Sequence, residues 1–85
     1  MIMRAYVNIA TRPGTAINVV RRLRENEEEI LSADAVYGRF DAIAVVQAPV
    51  LEDLDQIVFD AIQSDPNVMR TETSIVMGVK ELKSI

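Results

Sequence analysis

The segment Ala42–Ala48 (Ala-Ile-Ala-Val-Val-Gln-Ala) constrains the fold more than any other stretch, because it is almost wholly apolar and carries no charge. A strand that is apolar on both sides must be covered on both, so this stretch predicts a central, well-buried strand. The rest of the chain has to supply its neighbours and its cover.

From Met1 to Ala10 the residues alternate, with Met3, Ala5, Val7 and Ile9 on one side and Arg4, Tyr6 and Asn8 on the other, the period of a half-buried strand. Thr11-Arg12-Pro13-Gly14 breaks that pattern, and Ala16, Val19, Val20 and Leu23 then recur at helical spacing, predicting a helix from about Thr15 to Asn26. Ile30 to Tyr37 reads as a second strand, joined to the apolar run by Gly38-Arg39-Phe40-Asp41. After Pro49, the positions Val50, Leu51, Leu54, Ile57, Val58, Ala61 and Ile62 predict an amphipathic helix through Gln63, which Asp65-Pro66-Asn67 stops. A long strand follows from Val68 to about Lys80, with Met69, Thr71, Thr73, Ile75, Met77 and Val79 on one side. The order β-α-β-β-α-β is that of an α+β, ferredoxin-like unit, in which two helices lie on one face of a four-stranded antiparallel sheet.

Two helices cover only one side of such a sheet. The other side retains Ile2, Tyr6 and the second apolar set of the central strand, which predicts a homodimer joined sheet to sheet, a dimeric α+β barrel.

The 85 residues allow one domain, residues 1–85, and a protomer of that size is marginal alone. With neither Cys nor His, the sequence offers no thiolate metal site and no Cys nucleophile, and it lacks the usual general base and the commonest metal ligand. No catalytic residue, metal or cofactor is therefore expected. A net charge of −4 opposes non-specific adhesion to nucleic acid or anionic lipid, so neither DNA nor membrane is an expected direct partner. The absence of a long apolar run and of a signal-peptide pattern makes the cytoplasm the expected location.

The charge clusters have plain readings. Arg21 with Glu25 and Arg24 with Glu28 are four apart and read as pairs on the exposed face of the first helix. Glu52, Asp53 and Asp55 suit the positive end of the second helix dipole without any metal. The turn Gly38-Arg39-Phe40-Asp41 reads as hairpin chemistry, Gly for positive φ and Asp for a local backbone hydrogen bond. Thr71 and Thr73, two apart on a strand, read as packing residues.

Taken in order, Ala5-Tyr6-Val7, Pro13-Gly14, Gly38-x-x-Asp41, Pro66-Asn67-Val68, Thr71-x-Thr73-x-Ile75-Val76 and Val79-Lys80-Glu81 resemble the effector-binding and oligomerisation (RAM) domain of the Lrp/AsnC transcriptional regulators, from about Arg4 to Glu81. The sequence lacks the helix-turn-helix that precedes this domain in the regulators, so the resemblance is to a stand-alone form. It implies dimers that associate into rings, commonly octamers, with an amino-acid effector bound between dimers around the turn joining strands 2 and 3. Carried across by motif, the effector-binding residues are Gly38 and Asp41, with Thr71 and Thr73 as companions and Tyr37, Arg39 and Phe40 added by adjacency. Many relatives place a hydroxyl residue where Tyr37 stands, and Asn67 replaces their usual Gly after the proline. Asp41 would receive the effector's ammonium, and backbone N–H groups near Gly38 with a Thr hydroxyl would receive its carboxylate, since neither charge can leave water unpartnered.

The resemblance thus implies a small-molecule sensor that acts on transcription by ligand-linked assembly, including mixed oligomers with full-length Lrp-like regulators. Two other readings stand beside it. One is a purely structural or hetero-oligomerising subunit without ligand, and the remoter one is a cofactor-free monooxygenase-like enzyme on the same scaffold.

Overall fold

The computed structural model describes residues 2–77. The chain runs β1 (Met3–Thr11), α1 (Ala16–Arg24), β2 (Ile30–Ala35), β3 (Ala42–Ala48), α2 (Leu51–Ile57), a π-helical segment (Val58–Gln63) and β4 (Val68–Ile75). The sheet is antiparallel with strand order β2-β3-β1-β4, so the two strands with the cleanest apolar patterns occupy the centre. This is the ferredoxin-like α+β arrangement expected from the sequence.

Register decides which residues meet. Ala5, Val7 and Ile9 of β1 lie opposite Val46, Ala44 and Ala42 of β3, and all six are fully buried under the helices. Val19, Val20 and Leu23 of α1 and Leu54, Ile57, Val58 and Ile62 of the second helix complete that core. The small residues of β3 let the helix layer sit close, while the larger apolar side chains come from the helices and β1. On the opposite face the pairs Tyr6–Val45 and Asn8–Ile43 have no second layer over them among the described residues. Ile43 and Val45 are half-buried and Tyr6 is 48% exposed. The second apolar set of the central strand is therefore where alternation put it. Ser32 and Asp34 of β2 lie beyond it on one side, and Glu72 and Ser74 of β4 on the other.

Several boundaries differ from the sequence expectation. β2 ends at Ala35 rather than Tyr37, and a bulge after Ile30 sets Ser32 rather than Leu31 opposite Val45. A second bulge, where β1 passes from Ala10 to Thr11, brings Val68 rather than Met69 against the core. Val50 and Leu51 are exposed, since the helix begins only at Leu51 with Val50 as an extended N-cap. Its last part is π-helical, with Ser64 N–H donating to the Phe59 carbonyl five residues back at 3.0 Å. The wider turn keeps Ile57 and Ile62, five apart, on the buried side. The part of the last strand expected beyond Met77, including Val79 and Lys80, lies outside the described residues.

Two arginines of α1 do more than pair along the helix. The expected Arg21–Glu25 and Arg24–Glu28 pairs do not form, because α1 ends at Arg24 and the glutamates lie past its end. Arg24 instead donates to the Ala33 carbonyl at 2.7 Å and to Asp34 at 2.9 Å, tying α1 to the edge strand. Arg22 reaches the other way, from its Nε to Asp65 Oδ2 at 2.8 Å and from an Nη to the Ala61 carbonyl at 2.7 Å. The Asp65 side chain is only 8% exposed. Burial opposes its charge, but the Asn67 N–H and the Arg22 guanidinium outweigh that and hold the carboxyl below its ordinary 3.8.

A depressed carboxyl contributes stability that is present above its unfolded pKa and is lost as pH falls through the folded value. Arg22→Met, which keeps the apolar stem, is expected to lower the unfolding free energy near neutral pH by about 1–2 kcal/mol. Urea melts at neutral pH and at pH values below 3.8 check the sign, because the gap to the parent chain should narrow in acid.

Candidate functional site

The turn between β2 and β3, residues 36–41, is closed by one backbone hydrogen bond of its own and joined to the end of β1 by two more. Val36 N–H donates to the Asp41 carbonyl, and Asp41 N–H donates to the Ile9 carbonyl, both at 2.9 Å. The Thr11 N–H donates to Asp41 Oδ2 at 2.8 Å. Asp41 therefore closes the turn onto the neighbouring strand, and among the described contacts its Oδ1 has no protein donor. Thr11 is buried, so the carboxylate supplies an acceptor that its N–H could not take from water.

The other turn residues divide by exposure. Phe40 is buried, with the Arg70 guanidinium carbon 5.0 Å and that of Arg39 5.9 Å from its ring centroid. Arg70 also pairs with Glu72 at 3.2 Å. Gly38 holds φ = +152°, a backbone conformation that residues with a Cβ rarely adopt, and open space surrounds the position where a Cβ would stand. Tyr37 is fully exposed, and Arg39 is exposed beside it. The tip thus presents an aromatic ring, a guanidinium and a glycine to whatever approaches, above a base formed by Phe40 and Asp41.

Thr71 and Thr73 lie elsewhere. They pair with Ile9 and Val7, so their side chains share the helix-side face of the sheet, and Thr71 Oγ1 accepts from Gln63 Nε2 at 2.9 Å. β1 stands between them and Asp41, a separation of two strand spacings, about 10 Å. One protomer brings Gly38, Arg39, Phe40 and Asp41 together with Arg70 and Thr11, and it does not bring the two threonines to them.

Sequence reasoning missed Thr11 and Arg70. Neither carries a local signal; both become visible once β1 is placed between β3 and β4. Among the described residues no group of three or more Asp and Glu side chains is placed to hold a metal ion, and no helix is long and apolar enough to cross a membrane.

A four-stranded antiparallel sheet with two helices on one face, one face open in the protomer and a glycine–aspartate turn at its end, is a ferredoxin-like α+β domain. The family model for the Lrp/AsnC ligand binding domain matches residues 4–84, and the chain belongs to that family. Among solved structures, a hypothetical protein from Pyrococcus horikoshii is 31% identical with a TM-score of 0.81, covering 91% of this chain and 90% of its own. AsnC of E. coli, 19% identical, has a TM-score of 0.81 over 98% of this chain and 56% of its own. A transcriptional regulator from Neisseria meningitidis, solved as a complex with L-Met, is 22% identical with a TM-score of 0.77, over 96% of this chain and 53% of its own. The chain thus spans about half the length of those two proteins, whose likeness is one of fold. No curated protein matches the chain.

Proposed function

We propose that this chain is an amino-acid-binding and oligomerisation domain that modulates Lrp/AsnC-type transcriptional regulation in the cytoplasm through ligand-linked assembly. The observation that carries the reading is the family match over residues 4–84, nearly the whole chain. The L-Met complex of the Neisseria regulator supports an amino acid as the effector class. Protomers pair through the open sheet face, and dimers then associate into a ring with the exposed turn tips at their contacts.

In that contact the free Oδ1 of Asp41 accepts the effector's ammonium, and Gly38 leaves room for a carboxylate to approach backbone N–H groups. Since Thr71 and Thr73 sit about two strand spacings from Asp41 in one protomer, their hydroxyls reach the effector only from a neighbouring one. Tyr37 and Arg39 at the tip, and Phe40 beneath it, shape the side-chain end of the pocket. Occupancy then alters dimer–dimer affinity, and assembly alters ligand affinity equally. Mixed rings with full-length regulators would carry the signal to DNA.

The engagement of Asp41 by Thr11 favours a second reading, in which the turn is purely structural and the chain is a subunit without ligand. Calorimetric titration with the twenty amino acids, with mass measured by light scattering in each case, separates the two. Heat with at least one amino acid and a change in mass are expected. Silence from all twenty would remove the effector role and leave the structural one.

A further inference from the structure

The two edges of the sheet are not alike. On β2 a bulge follows Ile30, and Arg24 Nε takes the Ala33 carbonyl at 2.7 Å, so that edge is broken and partly capped. β4 is the longer edge, running from Val68 to Ile75, and it pairs with β1 alone. Val76 N–H donates to the Arg4 carbonyl, so by strand alternation Arg70, Glu72 and Ser74 turn their backbone groups to β1, while Thr71, Thr73 and Ile75 turn theirs outward. Those outward groups have no partner among the described contacts, and an edge of this kind is a template for another strand.

We propose that the partner strand is β4 of a second copy, joined antiparallel about a twofold axis at Thr71. Charge selects the register. With Thr71 opposite itself, Arg70 of each copy faces Glu72 of the partner subunit, in the closer, non-hydrogen-bonded position where cross-strand side chains interact most. A slip to either adjacent hydrogen-bonded register sets Arg70 against Arg70 or Glu72 against Glu72, so both neighbours are disfavoured. Within one chain Arg70 already holds Glu72 at 3.2 Å, and the joined edges therefore carry two such pairs side by side with alternating sign. The contact rests on the oligomerisation reading above and adds to it a surface separate from the open face. The Thr71 hydroxyl lies on the helix side of the sheet, where Gln63 donates to it, so pairing through the open face cannot bring two copies of Thr71 together.

The chain has no cysteine, so one introduced thiol per chain reads the register directly. In the full chain, Thr71→Cys sets two thiols opposite each other with Cα atoms about 5.5 Å apart, within disulfide reach. Thr73→Cys, on the same strand and face, leaves its two Cα atoms roughly 14 Å apart. Thr71→Cys is therefore expected to form a disulfide-linked dimer about tenfold faster than Thr73→Cys. Adding Arg70→Glu or Glu72→Arg to Thr71→Cys should slow linking about threefold or more, and mixing the two double variants should restore it, because opposite charges then face one another again. Equal rates for Thr71→Cys and Thr73→Cys, or linking indifferent to charge and to mixing, would overturn the edge contact while leaving assembly through the open face standing. A parent chain that light scattering finds as a single copy would overturn the oligomerisation reading as well.

Discussion

In the sheet-to-sheet dimer proposed above, Val45→Asp is expected to separate the protomers, raising the dimer dissociation constant by about a thousandfold or more. Val45 sits mid-strand on the open face, opposite Tyr6 of β1 and Ser32 of β2. A twofold sheet-to-sheet contact would bury two copies of any substitution there, here two carboxylates brought close to each other in an otherwise apolar patch. Removing an unpaired charge from water costs several kcal/mol, and two such costs exceed what a contact centred on Tyr6, Ile43 and Val45 can offset. On the same face Ser32, Asp34, Glu72 and Ser74 bring hydroxyls and further carboxylates; of the cations there, Arg70 is already paired with Glu72, and Arg4 lies diagonal to Val45, opposite Gln47. Sedimentation across a concentration series reads the outcome. Val45→Thr, which keeps the branched strand shape without a charge, should remain associated and separates loss of pairing from loss of folding. If Val45→Asp keeps the parent mass, the sheet face is not the interface, and the ring built on it falls as well.

How much of this was legible in the sequence depends on how local each cause is. The alternation of Ala5, Val7 and Ile9 and the unbroken apolarity of β3 fix faces without outside information: the helix-side face came out buried as its pattern implies, while Ile43 and Val45 on the other face stay half-buried in the protomer. The bulge after Ile30 left no trace, because Ile30 and Leu31 are equally apolar and either could have faced the core. The π-helical turn was equally silent: with Ile57, Val58, Ala61 and Ile62 all apolar, spacings of four and five both yield a buried stripe. Arg24 was misread because its partner Asp34 is distant in sequence while Glu28 offered a nearer one, and the partner of Arg22, Asp65, is too far along the chain to be legible. The turn 36–41 was legible as a place, from its glycine and aspartate. Its internal division was not, since the burial of Phe40 under Arg70 and the bond from Thr11 to Asp41 depend on strand order.

That bond changes how the role of Asp41 has to be tested. Asp41→Ala removes the acceptor of a buried strand's N–H as well as a charge, at a cost to stability of about 1–3 kcal/mol, so lost binding in that variant would have two explanations. Asp41→Asn keeps an oxygen for the Thr11 N–H and discards only the charge. Its unfolding midpoint in urea should therefore stay close to the parent's, whereas affinity for an amino-acid effector should fall about ten- to hundredfold, the worth of one charge-assisted hydrogen bond to an ammonium. An effector analogue with a neutral group in place of the ammonium should bind parent and variant alike, because the difference resides in that one contact. Should the asparagine variant bind the amino acid as tightly as the parent, the Asp41 carboxylate is a clasp for β1 alone, and the ammonium must be received elsewhere.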